Sequence, residues 1–133
     1  MSNEEIKQIK IEYYNEAIRY MDNAKQLLKK SGKKDSHYLD DKYVKIATGT
    51  AYNAILKALD GYILLLNIKK PKGRKSIEYY RDALKERDNK LKNLLNEAYS
   101  VLHLTGYYDG VTYVKIIDGG FDLAYSIIEK IKP

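Results

Sequence analysis

The chain has 133 residues, a formal net charge of +6 and no cysteine. This length fits one domain over residues 1–133, and the lack of cysteine excludes disulfides, thiolate catalysis and cysteine-bound zinc. The longest apolar run, Tyr62 to Leu66, is far shorter than the ~20 residues of a membrane helix. Because the first ten residues also lack the apolar core of a signal peptide, we expect a cytoplasmic location.

Hydrophobic spacing predicts two long helices in the first half of the chain. Apolar residues three, four and seven apart predict a helix over about Asn3 to Lys30, closed by Ser31 and Gly32. A second helix is predicted over about Ser36 to Leu66. It carries a stripe of larger apolar residues beside a stripe of small ones, which are Ala47, Ala51, Ala54, Ala58 and Gly61. Small residues in a row let another helix approach closely, so this helix is expected at the centre of a bundle.

The middle of the chain predicts a linker and two further helices. Pro71 and Gly73 interrupt the helical pattern, which makes Asn67 to Lys75 a linker. Ser76 is expected to cap a third helix. Asp88 or Asn89 is expected to cap a fourth helix with one apolar face; the sequence leaves open whether the third and fourth helices are separate or one kinked helix.

The last segment predicts a turn and a final helix. Gly106 to Gly110 is typical of a turn, after which Asp109 is expected to cap the last helix. Its apolar spacing continues through Gly119-Gly120 to Ile131. Because no alternating pattern indicates a strand, the predicted fold class is all-α, an antiparallel up-and-down bundle of four main helices plus a shorter one.

The linker contains a candidate anion-binding loop. Five of the seven residues from 69 to 75 are cationic: Lys69, Lys70, Lys72, Arg74 and Lys75. Flexible cations suit phosphate groups, and Ser76 follows at a predicted helix N-terminus, which itself favours anions. One interpretation is therefore contact with nucleic acid or a nucleotide. The other is a solvated loop whose charges keep the protein soluble.

The two histidines are the remaining candidates for chemistry. His103 lies on the fourth predicted helix without an obvious partner to orient or activate it. His37 lies near Asp40 and Asp41, either as three metal ligands on one helical turn or, as we favour, as a surface capping cluster. No Glu-x-x-His pair and no phosphate-binding glycine motif occurs in the sequence, so neither a metal nor a cofactor is expected.

Aromatic usage is unusual, with fourteen tyrosines, one phenylalanine and no tryptophan. A tyrosine buries an apolar ring while its hydroxyl stays wet, which suits helix seams and interfaces. Tyrosine could alternatively replace phenylalanine in the core. We expect a homodimer that uses tyrosine-bearing helix faces.

Two stretches carry a resemblance to a known family. Residues 43–60, YVKIATGTAYNAILKALD, resemble the central helix of HEPN-type bundles, and residues 99–110, YSVLHLTGYYDG, resemble a later part of them. From about Tyr14 to Lys132 the chain is similar to a small bacterial HEPN-like family of unknown function. This resemblance implies a helical bundle, commonly homodimeric, related to RNases and to partners of nucleotidyltransferases.

The same resemblance directs attention to Asn96 and His103. HEPN nucleases carry an arginine followed by four to six residues and a histidine. Here His103 takes the histidine position, but Asn96 stands six intervening residues before it, and asparagine carries no charge with which to hold a phosphate. The leading hypothesis is therefore a non-catalytic module that acts through binding or self-association. The alternative is an RNase or a nucleotide-binding toxin-type protein that uses His103 and the basic loop, with a cation from elsewhere.

Overall fold

The computed structural model describes residues 1–68 and 75–133. These residues are mostly helical, and their buried apolar side chains form one cluster inside a helical bundle. In chain order the elements are α1 (Asn3–Ser31), β1 (Lys33–Lys34), β2 (His37–Tyr38), α2 (Asp41–Leu65), α3 (Ile77–Leu84), α4 (Asn89–Ala98), a π-helix (Tyr99–Tyr108), α5 (Val114–Ile128) and a 3₁₀ turn (Glu129–Ile131). In the two described ranges, no helix combines the length and apolarity that a membrane crossing needs.

The first helix has the predicted ends. The Ser2 side chain accepts a hydrogen bond from the backbone N–H of Glu5 at the start of α1. Gly32, at a φ of 69°, follows its last residue, where glycine adopts a left-handed conformation that other residues avoid. The predicted boundaries of this helix are therefore confirmed.

The small-residue stripe on α2 is buried, as the sequence predicts. Its alanines are at most 1% exposed. The closest approach is at Gly61, where a Cβ would lie 2.6 Å from the Cβ of Tyr13 on α1. Because residue 61 near the end of α2 meets residue 13 near the start of α1, these two helices run antiparallel.

A short β-hairpin corrects the sequence prediction between α1 and α2. The second helix begins at Asp41 and not at Ser36, because the Asp40 side chain accepts the N–H of Lys42 and caps it there. The preceding residues pair as β1 and β2. The N–H of Tyr38 also donates to the carbonyl of Thr112 over 2.9 Å. Two-residue strands are too short to show an alternating pattern.

The third and fourth helices are separate, which settles the question that the sequence left open. The helix α3 ends at Leu84, and Asp88 caps α4 by accepting the N–H of Leu91 over 3.0 Å. Ser76 stands at the N-cap of α3 as predicted, but its side chain makes no capping hydrogen bond.

Two predictions about the last third of the chain are wrong. Gly106 does not begin a turn, since α4 continues directly into a π-helix that ends at Tyr108. Asp109 does not cap the last helix, because α5 begins at Val114, whose N–H donates to the Ser36 carbonyl of the hairpin region over 2.9 Å. The same helix does pass unbroken through Gly119-Gly120, as predicted.

Candidate functional site

A cleft of about 800 Å³ opens between α2, the π-helix and the start of α3. It is called the His103 cleft below. One wall is aromatic and is made by Tyr52, Tyr99, His103 and Tyr107. Polar and cationic residues complete the lining, among them Lys45, Asn53, Lys75 and Ser76. Apolar walls with a few polar groups, at a volume of roughly 300–1,000 Å³, are typical of ligand sites.

The π-helix aligns the aromatic wall. Its i→i+5 hydrogen bonds make a wider turn than an α-helix, so residues four or five apart lie on one face. The His103 ring centre lies 5.0 Å from that of Tyr99, 6.0 Å from that of Tyr107 and 5.1 Å from that of Tyr108. From α2, Tyr52 adds a fourth ring at 4.9 Å. These spacings are favourable for aromatic pairs, and π-helical segments are frequent at functional sites.

A close approach at Gly106 brings the π-helix against α2. A Cβ on Gly106 would lie 2.5 Å from the Cγ2 of Thr48. Thr48 is fully buried, and its hydroxyl donates to the Val44 carbonyl over 2.8 Å. One helical residue further, a Cβ on Gly49 would lie 3.5 Å from the ring of Tyr107. The absence of a side chain at residue 106 therefore sets the distance at which the rings of the π-helix face α2.

Burial shifts the pKa values of two residues of the aromatic wall, His103 and Tyr52. His103 is half-buried, and this burial lowers its pKa below the ordinary value for histidine, so its imidazole is neutral at pH 7. Burial likewise raises the pKa of Tyr52 to about 12. Both rings are therefore uncharged near neutral pH, which suits stacking against another planar group.

The cationic side of the cleft comes from two elements. Lys45 lies on α2, while Lys75 precedes α3 and pairs with Asp60, with 2.9 Å between its Nζ and the Oδ1. Asp60 also accepts the hydroxyl of Tyr80 over 2.8 Å. Of the predicted anion-binding residues, Lys75 and Ser76 line the cleft together with His103. The other four, Lys69, Lys70, Lys72 and Arg74, lie outside the described residues.

Comparison with known proteins identifies the family. The model of a family described as a domain of unknown function, DUF5618, matches residues 12–133. The chain belongs to the DUF5618 family. The structure of a protein of unknown function from Dyadobacter fermentans is similar to this DUF5618 chain, with 38% sequence identity and a TM-score of 0.80. That match covers 92% of this chain and 94% of the other. No curated protein matches this DUF5618 chain.

Asn96 has a different neighbour from the one the sequence suggested. Asn96 does not line the His103 cleft of this DUF5618 chain. Its side-chain oxygen accepts a hydrogen bond from the Nε of Arg81 on α3 over 2.7 Å. The Arg81 guanidinium lies 5.4 Å from the ring centre of Tyr99 and also pairs with Glu78. Sequence reasoning missed Arg81, because nothing local relates residue 81 to residue 96.

His37, Asp40 and Asp41 do not share a helical turn. His37 is in β2, where its Nδ1 lies 3.1 Å from the hydroxyl of Thr112 and its ring packs on Tyr113. Asp40 caps α2, so the capping interpretation holds for that residue. Across residues 1–68 and 75–133, no cluster of three or more histidine and acidic side chains could hold a metal ion.

Proposed function

We propose that this DUF5618 chain is a non-catalytic, HEPN-like helical module that binds single-stranded nucleic acid or nucleotides in the His103 cleft. The observation that carries the proposal is the set of rings around His103, which stand beside Lys45 and Lys75 in one cleft. Aromatic faces combined with cations are how proteins hold unpaired bases and their phosphates.

Exposure of the rings supports binding by stacking. Tyr107, which lines the cleft, is 47% exposed, so part of its ring is accessible to a planar group. Stacking of one base on an aromatic side chain contributes about 1–3 kcal/mol and tolerates any base. Because stacking tolerates any base, we expect weak sequence preference.

The HEPN-like assignment rests on the sequence resemblance, and the helical bundle is compatible with it. The same resemblance supports the proposed homodimer, and the lack of cysteine is compatible with the proposed cytoplasmic location. A candidate contact surface consists of exposed apolar residues on the π-helix and at the start of α5, which are Leu104, Tyr108 and Ile116. Light scattering over a concentration series tests this part: we expect the mass of two chains, and a monomer at every concentration would contradict it.

The binding experiment compares two tyrosines of similar exposure. Tyr107 lines the His103 cleft, whereas Tyr113, at 51% exposure, lies outside it and packs on His37. With a labelled 12-nucleotide RNA and fluorescence anisotropy, Tyr107→Ala should weaken binding roughly tenfold, the loss of one stacked base. Tyr113→Ala should leave binding unchanged. No binding by the wild type, or equal losses in both variants, would refute the proposal.

Salt dependence tests the contribution of the basic loop. Neutralising Lys72, Arg74 and Lys75 together should lower the affinity for RNA and flatten its salt dependence by roughly one logarithmic unit per lost phosphate contact. If the affinity for RNA does not change with salt concentration, these cations do not contact phosphates and serve to keep the protein soluble.

The alternative is an RNase that uses His103 and the basic loop. The observation that favours it is a neutral imidazole, which can accept a proton, in the same cleft as Lys75. Incubation of wild type and His103→Ala with the same RNA separates the two functions. Cleavage that disappears in His103→Ala supports the RNase, whereas intact RNA in both samples supports the binding module.

A further inference from the structure

A second cleft, of about 500 Å³, lies where the end of α1, the hairpin and α5 meet, and it shares no lining residue with the His103 cleft. We propose that it binds a small zwitterion whose ammonium and carboxylate groups stand at opposite ends of an apolar chain, the chemical class of the ω-amino acids. It is called the zwitterion cleft below.

The floor of the zwitterion cleft is apolar. Leu28 on α1, Tyr38 on β2 and Phe121 on α5 line it, and each is at most 8% exposed. Their surfaces can cover the methylene groups of a ligand, since apolar surface gains free energy when it leaves water.

The two sides of the cleft carry opposite charges. The α1 and β1 side carries three lysines and the α5 side two aspartates, which are Lys25, Lys29, Lys33, Asp118 and Asp122. In the part of the chain that the structure describes, none of these five groups lies within 4.0 Å of an opposite charge. Both signs of charge therefore line one cleft without neutralising each other, which suits a ligand that carries both.

One group on each side is held in place by a tyrosine. The Tyr38 hydroxyl donates to the Oδ1 of Asp118, and that carboxylate keeps further acceptor capacity. On the other side, the Nζ of Lys25 lies 4.8 Å from the ring centre of Tyr125, a residue of α5. Each side thus has one charged group in contact with a tyrosine, which limits the side-chain entropy lost on binding.

The distance between the two sides selects the ligand. In the described residues the lysine nitrogens and aspartate oxygens of the cleft lie more than 4.0 Å apart, so a ligand that meets both sides must hold its two charges apart. An α-amino acid carries both charged groups on one carbon, so its charges stand close together. A chain of several methylenes with an amine at one end and a carboxylate at the other reaches both.

The test uses 6-aminohexanoate as the probe, with hexanoate and hexylamine as analogues that keep one charge each. Titrations followed by NMR should show saturable shifts at the backbone amides of Leu28 and Phe121. The zwitterion should bind up to about fivefold tighter than either analogue, which is what one partly exposed ion pair supports. Equal affinity for all three compounds, or no saturable shift, would overturn the proposal.

Matched variants locate the binding. Lys33 lines the cleft, while Lys34 follows it in β1 and points to the other face of the strand. Asp122 lines the cleft, and Asp82 is an exposed aspartate on α3 that does not. Lys33→Gln and Asp122→Asn should each weaken 6-aminohexanoate binding about three- to fivefold, while Lys34→Gln and Asp82→Asn should not. Equal losses in the matched pairs would place the ligand elsewhere and overturn the assignment.

Discussion

Replacement of Gly106 by alanine tests how the π-helix is held against α2. The added Cβ would lie 2.5 Å from the Cγ2 of Thr48 and 2.7 Å from its Cβ, so one of the two helices must shift. Thr48 cannot simply rotate away, since it is β-branched, fully buried and hydrogen-bonded to the Val44 carbonyl. Overpacking of this kind costs about 1–3 kcal/mol, and the gain from replacing a helical glycine is at most ~1 kcal/mol. We therefore expect a net loss of roughly 1–2 kcal/mol, or a Tm lower by roughly 3–10 °C in a chain of this size.

Gly119 provides the control for this substitution. It also lies inside a helix, α5, but a Cβ there meets nothing within 4 Å. Gly119→Ala should therefore raise the unfolding free energy by up to about 1 kcal/mol. Calorimetry of both variants gives the comparison. If Gly106→Ala raises the Tm as Gly119→Ala does, the close contact between the π-helix and α2 does not exist in solution and the reasoning is wrong.

Two further predictions concern the bundle itself. Ala54 on the small-residue stripe is fully buried, so Ala54→Leu should overpack its helix contact and cost about 1–3 kcal/mol; an unchanged thermal melt would contradict this. Asp88 caps α4 and also accepts from Tyr62 and Lys130, so Asp88→Ala should cost about 2 kcal/mol, the sum of a lost cap and partly exposed polar contacts. Burial opposes the charge of Asp88, but these hydrogen bonds outweigh it and lower its pKa. Ionised Asp88 should therefore make the wild type more stable than Asp88→Asn. This difference in the free energy of unfolding is complete above the ordinary pKa of about 3.9 and is lost as the pH falls below it. Urea titrations of both proteins between pH 7 and pH 2.5 would show it.

The helices with strong periodicity and local caps could be predicted from the sequence. The first helix is an example, because Ser2 and Gly32 act on residues next to them in the chain. The small stripe of α2 is another, since its spacing alone indicates a buried face. The hairpin and the start of α5 could not be predicted, because they depend on long-range backbone hydrogen bonds, such as the one between Val114 and Ser36, which are 78 positions apart.

The candidate site was predictable only in part. His103 and the cation at residue 75 were found from the sequence, and the structure brings both to one cleft. The aromatic wall does not follow from the sequence, because Gly106 to Gly110 is typical of a turn and this places Tyr107 and Tyr108 outside the helix. In a single sequence, a glycine in a helical pattern can either end the helix or let another helix approach closely. At Gly106 the second role becomes visible only in the structure, where Thr48 lies opposite it.

The type of helix also determines what the side chains of residues 99–108 can do. In an α-helix, four residues advance about 40° beyond a full turn and five advance about 140°, so Tyr108 would point away from His103. In the π-helix both Tyr107 and Tyr108 reach the His103 ring, at 6.0 Å and 5.1 Å between ring centres. The close contacts of Gly106 with Thr48 and of Gly120 with Leu102 hold this segment from two sides. The binding proposed for the cleft therefore depends on tertiary contacts that keep the π-helix, and not only on the rings that it carries.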